Sequence, residues 1–132
     1  MIELDLLRSF LPSDLLDYFS VTGFQDIFEA HYNRQVFYID LDENNVMPAG
    51  YNPSEYECKD FLPPKHVQDF PIRGKAVILR IRRRRWRNKI NKNEIISNDY
   101  SFLANGSKLT SELSDFFKDT SRDQSRTHQS DC

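Results

Sequence analysis

The chain has 132 residues, of which 39% are hydrophobic and 13% aromatic, and its formal net charge is −2. These values favour one small folded domain and exclude a disordered chain. No run approaches the roughly 18 apolar residues of a membrane span. Acidic residues stand at the start, where a signal peptide needs a positive region. We therefore expect a protein that has no membrane partner.

The small net charge hides a sharp division along the chain. Residues 1–70 carry four basic and thirteen acidic groups, and residues 71–132 carry fourteen basic and seven acidic groups. This asymmetry points to an electrostatic partner for the basic half. It is equally consistent with an acidic half that is simply solvated surface.

Cysteine usage bears on the cellular compartment. Cys58 and Cys132 are the two cysteines, and we do not expect a disulfide between an internal position and the chain end. Because secreted small domains carry more extensive disulfide frameworks, the pattern favours a reducing, cytoplasmic setting.

The first forty residues predict helices and then a hairpin. Apolar residues at helical spacing indicate a helix within 2–11, and Ser13 is the expected N-cap of a second, short helix over 14–19. Residues rich in β-branched and aromatic side chains predict strands over 21–32 and 35–41. The predicted buried face of the second strand consists of Phe37, Ile39 and Leu41.

Residues 42–66 contain many turn-forming residues and predict a connector without regular structure. A long loop inside a small domain is uncommon and is often functional or the remnant of a binding element. A turn over 70–74 is then expected to lead into a strand over 75–86. Alternation places Val77, Leu79 and Ile81 on its buried face.

The remaining segments complete the predicted α+β fold. A polar turn over 88–93 precedes a return strand that starts at Glu94, and Ser107 is the expected cap of a C-terminal helix. The prediction is a small antiparallel β-sheet of two hairpins, packed with N-terminal helices and a C-terminal helix. Residues 1–118 form one domain, and residues 119–132 form a disordered tail.

The dense basic block is the main functional candidate. Ten basic residues and no acidic residue lie between Pro71 and Asn93. Residues on one strand face recur about every 6.6 to 6.8 Å, close to the phosphate spacing of a nucleic-acid strand. Arginine forks could therefore meet successive phosphates, and Trp86 could stack on a base or sugar. The predicted DNA-binding residues are Arg73, Lys75, Arg80, Arg82, Arg83, Arg84, Arg85, Trp86, Arg87 and Lys89.

Strand alternation divides this block into two faces, with Arg80, Arg82, Arg84 and Trp86 on one and Arg83, Arg85 and Arg87 on the other. If six to eight of these groups met duplex DNA, log affinity would fall with log salt at a slope of about −5 to −7. The alternatives are an edge strand that charge keeps from aggregating and a basic localisation signal.

Other chemistry is weakly indicated. Zinc needs about four ligands, and Cys58 and His66 are eight positions apart with His31 on the hairpin. Asp40 and Asp42 could present paired carboxylates, although a solvated strand end explains them as well. We expect no metal, no cofactor and no catalytic residue.

Several motifs resemble the N-terminal region of ISAon-type insertion-sequence transposases. The specific block runs from the Asp-Phe-Pro-x-x-Gly-Lys motif of residues 69–75 to the Arg-Arg-Arg-Trp motif of residues 83–86. Further similarity lies in the Leu-Leu-x-x-x-Leu-Pro opening at 6–12, in Ser-Asn-Asp-Tyr at 97–100 and in Phe-Phe-Lys at 116–118. The similar region covers roughly residues 4–118.

The resemblance implies a non-catalytic, DNA-binding part of a transposase that binds element ends. Its catalytic partner subunit would come from a separate, downstream reading frame. Broader relatives carry a zinc module in the connector, so residues 44–66 are expected to be a degenerate form of it. The alternative is an interaction module that binds RNA or an acidic protein through the same basic strand.

Overall fold

Two β-sheets and short α-helices make up residues 4–106 and 109–121, which are the residues that this computed structural model describes. The helices are α1 (Leu4–Arg8), α2 (Ser13–Leu16) and α3 (Ser111–Asp119). The strands are β1 (Phe19–Glu29), β2 (Arg34–Glu43), β3 (Tyr56–Phe61), β4 (Lys65–Ile72), β5 (Lys75–Arg82), β6 (Arg84–Asn88) and β7 (Ile95–Ile96). The predicted α+β class with a C-terminal helix is confirmed.

The first sheet has the strand order β1-β2-β5-β4. The β1–β2 hairpin is antiparallel as predicted, and the predicted hairpin with a return strand near Glu94 corresponds to the antiparallel β6–β7 pair. The antiparallel β4–β5 hairpin was not predicted, and β2 and β5 pair in parallel. This parallel contact places the acidic end of β2 beside the basic end of β5. A second, antiparallel sheet has the order β3-β6-β7.

A bent double hairpin joins the two sheets. The chain runs through β3 and β4, turns at Arg73 and Gly74 with φ angles of 50° and 79°, and returns through β5 and β6. At the bend the backbone N–H of Leu62 donates to the carbonyl of Arg83 at 2.8 Å. The prediction that residues 42–66 lack regular structure is therefore wrong over β3 and the start of β4. The predicted turn over 70–74 is shorter in the structure, because residues 70–72 belong to β4.

The main core lies between the first sheet and the helices. Phe37, Ile39 and Leu41 of β2 are buried as predicted, and so are Val77, Leu79 and Ile81 of β5. Leu7 and Leu15 bring α1 and α2 onto this core with no exposed surface. A smaller cluster in the second sheet contains Tyr56, Trp86 and Ile96.

The N-cap residues of α2 and α3 are not the serines predicted from the sequence. Ser13 lies inside α2, whose N-cap position is Pro12 and has no side-chain cap bond. The cap of α3 is Thr110, whose hydroxyl accepts from the Leu113 N–H at 3.2 Å. The predicted cap Ser107 lies outside the described residues. The apolar stripe decides where α3 packs, and the nearest suitable hydroxyl caps it.

The predicted disordered tail starts too early. Asp119 is the last residue of α3, and Thr120 is only 3% exposed. The Thr120 hydroxyl accepts from the Tyr100 N–H at 2.7 Å and so ties the helix end to the body. The rest of that predicted tail, residues 122–132, lies outside the described residues. Within the described part of the chain, no helix is long and apolar enough to cross a membrane.

Candidate nucleic-acid interface

Arg80 and Arg82 project from the last residues of β5 and meet carboxylates of β2. The parallel register places Arg80 opposite Asp40 and Arg82 opposite Asp42. Arg80 Nε and Nη2 donate to the two Asp40 oxygens at 2.6 and 3.2 Å. Arg82 makes the same fork to Asp42 at 2.7 and 2.8 Å. Two bidentate ion pairs thus stand side by side.

These pairs line a shallow depression of about 560 Å³. The Arg80 and Arg82 side chains are 23% and 39% exposed, so both remain accessible. Arg80 also lies over the Tyr38 ring at 4.7 Å and Arg82 over the Phe61 ring at 4.1 Å. Ion pairing and ring contacts together hold the guanidinium planes in fixed orientations.

Gly23 has a packing role at the same depression. A Cβ atom at Gly23 would stand 2.6 Å from Asp40 Oδ2. The absence of a side chain therefore leaves room for the Asp40 carboxylate beside β1. The strand register shifts at this point, between Val21 and Gly23.

Arg84 begins β6 on the other side of the bend. Its Nε donates to the Glu43 carbonyl oxygen at 2.7 Å, and its guanidinium lies 4.4 Å from the Phe61 ring centre. Phe61 therefore has Arg82 and Arg84 stacked against it. Arg84 is partly buried and serves as a link between β2 and the second sheet.

Arg85 makes the most deeply buried ion pair. Arg85 and Asp60 are each 2% exposed, and Nε and Nη2 donate to the Asp60 carboxylate at 2.8 and 2.6 Å. Burial alone raises the pKa of Asp60. Hydrogen bonds from Arg85 and Lys59 outweigh burial and hold that pKa below its usual value. Arg85 is therefore a structural residue, and a phosphate in solution cannot reach its guanidinium group.

Arg83 is buried where the two sheets meet α3. Its Nη2 donates to the carbonyls of Asn98 and Thr120 at 2.8 and 3.3 Å, while Nε has no hydrogen-bond partner among the described residues. Burial lowers the pKa of Arg83. A group held this deeply cannot reach a ligand at the surface.

Glu43 organises the same junction and is only 1% exposed. Its carboxylate accepts from the Arg84 N–H and the Asn98 amide, each at 2.8 Å, and also from the Tyr100 hydroxyl. Burial raises the pKa of Glu43 despite these bonds. The junction is a polar network that joins β2, β6 and the segment before α3.

Trp86 does not lie on an exposed face. It is 2% exposed, packs with Tyr56 and Ile96, and donates from its indole nitrogen to the Asn45 side chain at 3.1 Å. The predicted face assumed one unbroken strand, but Arg83 separates β5 from β6 and the alternation is lost there. Burial therefore removes Trp86, with Arg83 and Arg85, from the predicted contact surface.

The other predicted contact residues are spread along the double hairpin. Arg87 pairs with Glu57 at 2.9 Å, and Lys89 donates to the Ser54 carbonyl at 2.9 Å. Arg73 is exposed at the β4–β5 turn. Lys75, beside it, stands 4.9 Å from the Phe37 ring centre. Among the described residues of the predicted contact set, Arg80 and Arg82 are the arginines that line one depression together.

The uneven charge of the two halves is largely compensated within the molecule. The partners of the basic strands are acids of β2 and β3, and four of these pairs face each other in strand register: Asp40 with Arg80, Asp42 with Arg82, Asp60 with Arg85 and Glu57 with Arg87. These acidic partners were not predicted from the sequence. The matching two-residue spacing of Asp40–Asp42 and Arg80–Arg82 was the available signal.

Cys58 is disulfide-bonded, which corrects the expectation of no disulfide and removes the cysteine argument for a reducing setting. The sequence contains one other cysteine, Cys132, which lies outside the described residues. Within the described ranges, no group of three or more His, Cys, Asp or Glu residues is placed to hold a metal ion.

The chain was compared with protein-family models, curated proteins and solved structures, and none of them matches it.

Proposed function

We propose that this chain is the non-catalytic, DNA-binding N-terminal part of an insertion-sequence transposase. The resemblance over residues 4–118 supports the proposal, because its most specific motifs lie in one stretch of the chain, from residue 69 to residue 86. The Asp-Phe-Pro-x-x-Gly-Lys motif spans the β4–β5 turn, and the Arg-Arg-Arg-Trp motif consists of Arg83 between β5 and β6 and the first three residues of β6. Transposition chemistry would then belong to a separately encoded catalytic chain, and the setting would be cytoplasmic.

The contact surface in this proposal is narrower than the sequence predicts. The observation that carries it is the pair of accessible arginines, Arg80 and Arg82, on one side of a depression. They lie two residues apart on β5, about 6.6 Å along the strand, which suits successive phosphates. Their guanidinium planes are already oriented, so little side-chain entropy is lost on binding.

Asp40 and Asp42 limit the strength of this surface. Each carboxylate occupies one fork of its arginine, and a phosphate must approach against two negative charges. We therefore expect weak duplex binding with two to three phosphate contacts, and a log–log salt slope of about −2 to −3 instead of −5 to −7. Sequence recognition of the element ends would require further contacts, such as those of a catalytic chain.

Filter binding between about 50 and 200 mM salt tests the proposal. The probes are a short duplex with the terminal repeats of the element, a duplex of unrelated sequence and an RNA duplex. Preference for the terminal repeats supports the transposase assignment. Preference for RNA, or salt-independent binding, contradicts it. A reading frame downstream that encodes a nuclease-type acidic triad would support the predicted catalytic partner.

Replacing both accessible arginines should weaken this binding. The double variant Arg80→Gln/Arg82→Gln is expected to flatten the salt slope by about two contacts, because each arginine neutralises one phosphate. The control Arg8→Gln/Lys118→Gln removes the same charge from α1 and α3 and should leave the slope within about half a contact of wild type. Equal slopes for the two double variants would exclude Arg80 and Arg82 as the contact residues.

A further inference from the structure

An apolar groove of about 600 Å³ lies between the N-terminal helices, β4 and α3. Its volume lies within the range of sites that hold several side chains or a small ligand. The apolar side chains that line it are Phe10, Leu11, Pro12, Leu15, Phe70, Leu103, Leu109 and Phe117. Phe10 and Phe70 are 50% and 53% exposed, so aromatic surface continues from the groove to the solvent.

A carboxylate lines this groove where strand alternation calls for an apolar residue. Val67 and Asp69 both face the core side of β4, and Asp69 is only 6% exposed. The Asp69 carboxyl accepts a hydrogen bond from the Phe70 N–H, and burial raises its pKa. Within residues 4–106 and 109–121, no lysine, arginine or histidine pairs with it.

Asp69 differs from the other two buried acids among the described residues, because Asp60 pairs with Arg85 and Glu43 accepts three hydrogen bonds. Asp40, Asp42, Asp60 and Glu57 each have a basic partner. Burying a carboxylate without a cation is unfavourable in general, and a well-fitting charged partner offsets this cost. The second acid that lines the groove, Asp14, adds negative charge at its exposed side.

We propose that this groove binds a segment of another protein chain that carries an arginine or lysine beside bulky apolar residues. The basic group pairs with Asp69, and the apolar residues cover Phe10 and Phe70. Charge complementarity favours a basic, partly apolar partner segment, since the described lining offers apolar surface and two carboxylates but no basic residue. This surface lies apart from Arg80 and Arg82, so the inference stands independently of DNA binding.

Two matched peptides test the inference on the wild-type chain. The probe is acetyl-Leu-Arg-Phe-amide, and the control carries citrulline, a neutral isostere, in place of arginine. Backbone amide resonances of Phe70, Leu103 and Leu109 are followed by NMR during titration. We expect the arginine peptide to shift them with about tenfold higher affinity than the citrulline peptide. Equal affinities, or no shift at these positions, would overturn the proposal.

Variants then assign the discrimination to one carboxylate. Asp69→Asn is expected to remove the preference for arginine, while Asp14→Asn retains most of it because Asp14 is exposed. If Asp69→Asn fails to fold, the peptide comparison on the wild-type chain still decides. Lys108 precedes the groove-lining Leu109 in the sequence and is tested separately. In Lys108→Ala, both peptides should bind as in wild type. A rise of about tenfold or more in that variant would mean that the chain's own Lys108 competes for the groove, and the proposed partner would be wrong.

Discussion

We expect the Arg85→Ala variant to lose about 3–5 kcal/mol of unfolding free energy, because it leaves the Asp60 carboxylate buried with only Lys59 as a charged partner. Both members of the Arg85–Asp60 pair are 2% exposed, and two hydrogen bonds join them. Urea denaturation followed by circular dichroism measures the loss.

Arg87→Ala is the matched control, since Arg87 lies two residues further along the same strand. Its pair with Glu57 is 36% and 34% exposed, so solvent screens the pair and we expect a much smaller loss than for Arg85→Ala. Similar losses for Arg85→Ala and Arg87→Ala would show that burial does not distinguish the two pairs. Unchanged stability of Arg85→Ala together with weakened DNA binding would place Arg85 at the ligand surface.

The pH dependence of stability provides a second readout of the Arg85–Asp60 pair. The pKa of Asp60 is lower in the folded chain than its usual value. The stabilisation by this pair is therefore fully present above the unfolded-state pKa, and it is lost as the pH falls through the folded-state value. Arg85→Ala lacks this pair, so the difference in unfolding free energy between wild type and the variant should shrink as the pH falls and Asp60 becomes protonated.

Trp86→Ala is expected to cost about 3–5 kcal/mol, the usual range for removing a buried tryptophan. Trp86 is the largest fully buried side chain described and fills the cluster with Tyr56 and Ile96. Thermal denaturation by circular dichroism measures the loss without relying on indole fluorescence. Trp86 is the sole tryptophan of the chain, so its emission in wild type should be that of a buried indole.

Trp86→Phe separates ring burial from the indole hydrogen bond. Phenylalanine retains most of the apolar volume but leaves the Asn45 oxygen without its donor, so we expect a smaller loss of about 1–2 kcal/mol. If Trp86→Ala kept full stability but lost DNA binding, Trp86 would have to lie at the DNA contact surface.

The elements with strong local patterns were predictable from the sequence. The β1–β2 hairpin and the buried faces of β2 and β5 follow from alternation with a period of two, which needs no knowledge of the partner strand. Strand β3 was not predictable in this way. Three of its six residues, Glu57, Lys59 and Asp60, are charged, and its extended form follows from pairing with β6.

The candidate site was harder to predict than the fold. Its main features depend on the parallel register of β2 and β5, which joins positions forty residues apart. Local composition shows ten basic residues in one stretch, but it does not show that carboxylates face four of them. The burial of Trp86 was missed because a single break at Arg83 changes which side of the strand each later residue faces.

The double variant Asp40→Asn/Asp42→Asn tests the account most directly. These carboxylates pair with Arg80 and Arg82, so removing their charge should release both arginines and tighten duplex DNA binding about tenfold at low salt. Asp5→Asn/Asp115→Asn makes the same change of net charge on α1 and α3 and serves as the control. Our account predicts that only the first variant binds DNA more tightly. Equal affinity of both variants and wild type, measured by filter binding, would contradict it.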